Sequence, residues 1–431
     1  MRQYCFLLFL LFAFDCLPIH AQTGKWTQLH PTNSPSARMG HGMAPIGDHK
    51  ILLFGGLQEN HYDSDETWIF DLSDNEWTKV DCEEHPRACE FPAFSKIDSN
   101  KVLLFGGSRT NDIYYDETWL FDLDSMKWIQ LHPAKSPHSR NRGIGAYLGD
   151  GKVLVYGGIG CVWHNSWCDD FCSDTWIYDI KKNTWDSVAY CFPYGRELPQ
   201  ACELDNGRVF LYGGHTSNRN NPDHFIYDLD SMKWTFFYPK NGTYIRDASA
   251  LVNLDGNIFL VFGGYTKGPD GPIPEIGPNG DTWLFNMTSK EWVELFPVIK
   301  PYDRVFHNIA KINKGKSILF GGATTGIFFK DTWLFELQDN SVFDYNINDE
   351  LKVISNSNEF IEVLVPASNP YTTKITIYNI YGLEINPEEY YTSFPTPNNI
   401  RIDLSALYSG VYFLQADTDN RVNYLKINIA K

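Results

Sequence analysis

Six times along the chain a short apolar run ends in two glycines: ILLFGG, VLLFGG, VLVYGG, VFLYGG, FLVFGG and ILFGG. The pairs are Gly55-Gly56, Gly106-Gly107, Gly157-Gly158, Gly213-Gly214, Gly263-Gly264 and Gly321-Gly322, spaced 51, 51, 56, 50 and 58 residues apart. A period near fifty built on strand-like runs predicts repeated four-stranded units and excludes a chain of helices. After each pair come a polar loop and a third apolar run: ETWIFDL, ETWLFDL, DTWIYDI, DHFIYDL, DTWLFNM and DTWLFEL. A fourth run begins with tryptophan in five units, at Trp77, Trp128, Trp185, Trp234 and Trp292. Turns such as SDNE, DSMK and KKNT join the last two runs, as hairpins prefer. Glycine permits positive φ and close backbone approach, and the third-strand tryptophan is expected to fill the wedge between neighbouring sheets.

Over roughly residues 26 to 337 these motifs resemble the kelch repeat family of β-propellers. The resemblance implies an all-β fold, a six-bladed kelch propeller. The sixth unit lacks its fourth strand, since QDNSVFDYN after DTWLFEL carries no tryptophan, whereas KWTQL around Trp26 lies unused upstream. Residues 25 to 29 are therefore expected to close the ring as the outer strand of the blade built from residues 304 to 337, which leaves few exposed edges.

From about residue 350 the glycine-tryptophan pattern stops and short alternating strands predict a small β-sandwich. ITIYNIYG, IDLSALYSGVYFL and the final YLKINIAK resemble the C-terminal sorting domain of the Bacteroidetes type IX secretion system. The resemblance implies export by that machinery; an accessory immunoglobulin-like or carbohydrate-binding module is the alternative. At the other end, Arg2, the apolar run YCFLLFLLFAF and Ala21 read as a signal peptide over residues 1–21. The expected organisation is signal peptide 1–21, propeller 22–340, linker 341–349 and C-terminal β-sandwich sorting domain 350–431. Localisation follows as secreted or cell-surface, by way of the periplasm. No other segment reaches transmembrane length. A net charge of −17 argues against a nucleic-acid surface, because phosphate binding needs clustered cations. A monomer is expected.

Seventeen residues before each double glycine stand Arg38, Cys89, Arg140, Arg196, Arg246 and Arg304. Five arginines at one station of a ring suggest either an anion-binding collar or, as the resemblance implies, a structural role. Glu66, Glu117, Asp174, Asp281 and Asp331, beside Thr-Trp, are the ion-pair partners such a role would use. His41 and His307 share a station matching a family-typical histidine. In an up-and-down blade the loop after the glycines and the segment leading into the next blade emerge on one face, so that face carries the long irregular insertions. Binding usually sits on such loops. Tyr62, Tyr114, Trp163, Trp167 and Tyr265 offer aromatic faces there, His215 opens the loop HTSNRNNPD, and Arg142 lies two residues beyond the arginine column, where it points to the axial channel. These are the candidate ligand-binding residues. Aromatic planes beside carboxylates suit sugar rings; packing of the loops on one another is the competing reading.

Of the cysteines beyond the leader, Cys82 and Cys89 bracket one loop and are expected to pair. Cys161, Cys168 and Cys172 share a long loop with Cys191 nearby, which allows two more bridges with partners undetermined. Zinc held by Cys161, His164, Cys168 and Cys172 is the rival. Cys202 falls in a column with Ala44, Ser95, Ala146, Val252 and Ala310 and reads as a buried free thiol.

The leading functional expectation is a protein- or glycan-binding module acting through the long-loop face. The alternative is a secreted kelch-type enzyme, galactose-oxidase-like or sialic-acid-epimerase-like. No copper-ligand set with a Tyr-Cys neighbourhood and no Glu-x-x-x-Asp-x-x-x-His pattern is found, so no catalytic residue, metal or cofactor is assigned.

Overall fold

The computed structural model describes residues 23–110, 113–160, 171–188, 193–205, 207–216, 224–242, 245–267, 277–297, 299–338 and, beyond these, 352–356, 360–364, 374–379, 385, 391–396, 399–404, 407, 410–418 and 421–429. The expected signal peptide lies outside them, as do Trp163, Trp167, Cys161, His164, Cys168 and Cys191.

The first part folds as a six-bladed propeller of antiparallel four-stranded sheets. Blade 1 runs from the inner strand Gly42–Pro45 through Lys50–Phe54 and Thr67–Asp71 to the outer strand Glu76–Val80. The inner strands of blades 2 to 6 are Ala93–Lys96, Ile144–Gly149, Gln200–Glu203, Ala250–Asp255 and Asn308–Asn313. Thr23–Leu29 pairs antiparallel with Thr332–Gln338, Trp26 opposite Phe335, and so completes blade 6 from the other end of the chain. The ring closure expected from KWTQL is thus present, two residues longer at its start.

The core lies between blades. Each of six apolar clusters joins two neighbours; Trp77, Phe70 and Ile51 of blade 1, for example, pack with Ile318, Phe320 and Leu334 of blade 6. Alternate residues of the two middle strands face opposite seams, so these strands are apolar throughout. Both tryptophan columns sit in the seams, with different hydrogen bonds. The third-strand indoles stay within their own blade, as Trp176 donating to Asp174 and Trp333 to Asp331. The fourth-strand indoles cross the seam: Trp26 donates to Thr282, Trp77 to Thr332, Trp128 to Thr67, Trp185 to Thr118 and Trp234 to Thr175, all at 2.9–3.1 Å. The wedge therefore depends as much on the fourth-strand tryptophans as on the third-strand ones.

The double glycines fasten one blade to the next. In each pair the second N–H donates to the carbonyl at the arginine station of the following blade, as Gly56 to Cys89 and Gly322 to Arg38. The first glycine has φ near +70°, and a Cβ there would stand 2.3–2.8 Å from that same carbonyl oxygen. No side chain fits this approach.

In blades 1, 2 and 6 the described parts of the loops after the glycines are more regular than expected. Ser108–Arg109 pairs with Ile113–Tyr114, Ala323–Thr324 with Ile327–Phe328, and Leu57–Gln58 folds back on Arg38–Met39. Short backbone ladders satisfy N–H and C=O groups that an irregular loop would leave to water.

The bridge expected between Cys82 and Cys89 is not formed; both are free thiols. Cys82 lies beside the Met126 carbonyl of blade 2's outer hairpin, 3.5 Å away, while Cys89 is buried at the inner face, replacing an arginine. Both belong to the seam between blades 1 and 2, Cys89 in its buried cluster and Cys82 packed against that cluster. Cys202 is a buried free thiol, as expected, and Cys172 is buried and disulfide-bonded.

The C-terminal strands form a four-stranded sheet, in the order Lys352–Asn356, Phe360–Leu364, Asn399–Asp403, Tyr391–Thr396, and a three-stranded sheet of Lys374–Asn379, Gly410–Thr418 and Arg421–Ile429. Ile400 and Ile402 of the first, and Ile377 and Leu414 of the second, are fully buried.

Candidate functional site

The arginine column frames the long-loop face. Arg38, Arg140, Arg196, Arg246 and Arg304 are all buried, each donating to the carbonyl of the first glycine of its own blade at 2.9–3.4 Å. Arg140, Arg246 and Arg304 grip Asp174, Asp281 and Asp331 with two bonds each at 2.6–2.9 Å, and Arg38 meets Glu66 at 2.6 Å. Burial disfavours the Glu66 carboxylate, yet hydrogen bonds from Lys79, Arg38 and Trp68 hold its pKa down to about 2. In blade 2, where Cys89 replaces the arginine, Arg87 reaches Glu117 from outside at 3.1 Å. Four of the five buried guanidiniums are neutralised by an acid in the same blade, and the column makes no collar.

Two residues further on, the chain turns into the inner strand at Gly40, Phe91, Arg142, Leu198, Ala248 and Phe306. All six have positive φ, between +50° and +65°. Five backbone bonds link them around the axis: Gly40 N–H donates to the Phe306 carbonyl, Phe91 to Gly40, Arg142 to Phe91, Leu198 to Arg142 and Phe306 to Ala248, at 2.6–3.1 Å. A non-glycine residue in this region costs about 1–3 kcal/mol, so five of them held side by side mark a constrained site. The side chains converge with the backbone. Phe91 and Phe306 meet edge to face at 5.3 Å, and the Arg142 guanidinium stands over Phe91 at 5.4 Å. Arg142 also pairs with Glu197 at 2.8 Å, while its buried Nε has no hydrogen-bond partner. Gly40 makes room, since a Cβ there would touch the Phe91 ring.

A second column borders the ring. The residue after each double glycine bridges to the one following the arginine station: Glu90 with Ser108, Asn141 with Ile159, Glu197 with His215, Val305 with Ala323, and Asp247 with Tyr265. His215 and Tyr265 therefore flank the mouth of the axial channel. His215 Nδ1 lies 3.9 Å from Asp247 and its ring meets Phe171 at 5.6 Å; Tyr265 packs near Phe306 at 6.1 Å. Burial, with the Asp247 charge adding to it, raises the Tyr265 pKa.

Of the predicted residues, Arg142, His215 and Tyr265 come together at this mouth. Tyr114 stands beside it, its ring against Gly160. Tyr62 is apart, 70% exposed on its own hairpin. Phe91 and Phe306 were not singled out by the sequence, although they share the column that placed Arg142. His41 and His307 lie just below, buried against Phe320 and Phe262. Burial lowers the His41 pKa to about 3 and also holds that of His307 well below its ordinary value. Among the described residues, no three His, Cys, Asp or Glu side chains converge as metal ligands would.

Known proteins share this repeat pattern. The KLHDC2/KLHL20/DRC7 Kelch-repeats domain matches residues 12–196 and 188–352, and the secretion system C-terminal sorting domain matches residues 356–430. An F-box/kelch-repeat protein of Arabidopsis thaliana is 26% identical over 302 residues, covering 61% of each chain. Kelch domain-containing protein 2 of Bos taurus is 21% identical over 324 residues, 68% of this chain and 77% of the bovine one. Adagio-like protein 3 of rice is 27% identical over 254 residues, 56% of this chain and 39% of its own. The chain thus spans less than two thirds of the Arabidopsis and rice relatives.

Proposed function

The chain belongs to the Kelch-repeats family and carries a secretion system C-terminal sorting domain, and from that premise we propose that it is a secreted or cell-surface propeller that binds a protein or glycan through its long-loop face. Type IX export carries it outward. Among the described residues no helix is long and apolar enough to cross a membrane.

The observation that supports a binding role is the constrained mouth. Five non-glycine residues in left-handed backbone hold Phe91, Phe306 and Arg142 in place, so their side chains meet a partner without first being ordered, which favours affinity. Aromatic faces with Glu197 and Asp247 beside them suit stacking on a sugar ring or on the side chains of a basic peptide.

The test is a protein and glycan array probed with the full exported chain and its Tyr265→Ala and Arg142→Ala variants. A partner held by the parent and lost at least roughly tenfold in both variants supports the reading. Stoichiometric copper, iron or zinc in the purified chain, together with substrate turnover, would replace it with an enzymatic one.

A further inference from the structure

At the hairpin face, opposite the mouth, the axial channel carries a second set of side chains. One level of the six inner strands presents Pro45, Lys96, Tyr147, Glu203, Asn253 and Lys311, in blade order. Five residues of strand separate this level from the ring of Phe91 and Arg142, roughly 17 Å. The channel between them encloses about 170 Å³.

Lys96 reaches from blade 2 to Glu203 in blade 4 at 2.6 Å, passing over the Tyr147 ring at 5.2 Å. Asn253 donates to the Glu203 carbonyl at 2.9 Å, and its buried Oδ1 has no partner. Lys311, in blade 6, is half-buried; among the described residues it has no ion pair and no hydrogen bond from its ammonium. Burial lowers its pKa, with Glu203 opposing and Lys96 adding to that effect. Lys96, Glu203 and Lys311 occupy alternate blades. The remaining gap between the two lysines is faced only by Pro45, which brings no polar side-chain atom. Asp255, whose charge also acts on Lys311, pairs with Lys314 at 3.3 Å, so at this level two lysines stand against one glutamate and one positive charge is left over, inside a chain whose net charge is −17. The next level inward is small and mostly apolar, with Ala44, Ser95, Ala146, Cys202, Val252 and Ala310.

We propose that the hairpin-face end of the channel binds a small monocarboxylate, its carboxylate between the ammonium groups of Lys96 and Lys311 and its short apolar tail toward Ala44 and Ala310. Charge-assisted hydrogen bonds from two ammoniums suit a carboxylate. One excess charge matches a monoanion, whereas a dianion such as phosphate at neutral pH brings a second charge against Glu203. The site is separate from the long-loop face and goes beyond the binding role proposed for it.

The test titrates the full chain with acetate and, at matched ionic strength, with inorganic phosphate and chloride, followed by calorimetry. Saturable acetate binding at one site per chain is expected, weakened at least roughly tenfold in Lys311→Gln and kept within about threefold in Lys311→Arg. Absence of saturable acetate binding, or acetate binding unchanged in Lys311→Gln, overturns the site. Phosphate or chloride binding as tightly as acetate overturns the monocarboxylate assignment. Tryptophan fluorescence confirms that each variant is folded.

Discussion

Trp292 donates its indole N–H to His224 Nε2 at 3.1 Å, whereas in the other five seams the fourth-strand tryptophan donates to a threonine hydroxyl. An imidazole accepts this bond only while neutral. His224 lies among Phe210, Tyr212, Phe237 and Phe285, and burial lowers its pKa from 6.5 to about 3.

The unfolded chain takes up this proton near pH 6.5 and the folded one only near 3, so between those values the unfolded state binds more protons. Stability therefore falls as pH drops through that window, by up to about 1.4 kcal/mol per pH unit for each such histidine. His41 adds to the slope in the same direction. His224→Thr restores the common acceptor. It should lose about 1–3 kcal/mol of packing at pH 7 and show a shallower acid slope than the parent. All 13 tryptophans precede residue 340, so guanidinium unfolding followed by their fluorescence reads the propeller alone. Parallel pH curves for parent and variant would refute the assignment.

Gly213 makes the tightest contact among the first glycines of the six pairs. Its φ is +67° and a Cβ would sit 2.3 Å from the Arg246 carbonyl oxygen. Gly213→Ala should cost about 2–4 kcal/mol, combining left-handed backbone and overpacking. At Gly242 an added Cβ meets nothing within 4 Å, so Gly242→Ala should change stability by less than about 0.5 kcal/mol. Equal denaturation midpoints for the two variants would contradict the seam geometry.

Arg304 holds Asp331 with two bonds and the Gly321 carbonyl with a third. Removing one member of a buried pair strands the other charge, so Arg304→Met should cost about 3–5 kcal/mol. Adding Asp331→Asn should return at least about 1 kcal/mol of it, a coupling that a double-mutant cycle measures. Strict additivity of the two losses would show that the pair does not act as a unit.

Export is expected to depend on the C-terminal domain. Deleting residues 350–431 in a host with a type IX system should leave a folded propeller in the periplasm, while the full chain appears outside. Fractionation of the two forms decides this, and normal export of the truncated form would exclude the C-terminal domain as the sorting signal.

By itself the sequence determined the blade count, the strand order within blades and the borrowed outer strand. These follow from local chemistry repeated around the ring: the double glycine and the tryptophan that opens each fourth strand recur in all six units, and the acid beside Thr-Trp in five. The arginine column was also legible, since a buried guanidinium needs an acid and four of the six units supply both. Only the tertiary structure decided which singular residues meet. Phe91 and Phe306 lie 215 residues apart, and Lys96 and Glu203 107 apart, and each pair is in contact solely because the ring brings non-adjacent blades to one axis. It also decided that Cys82 and Cys89 stay free thiols, one half-buried beside the Met126 carbonyl and the other buried at the arginine station. Periodic positions are readable from sequence because they repeat, whereas a site on the axis draws one unlike residue from each blade.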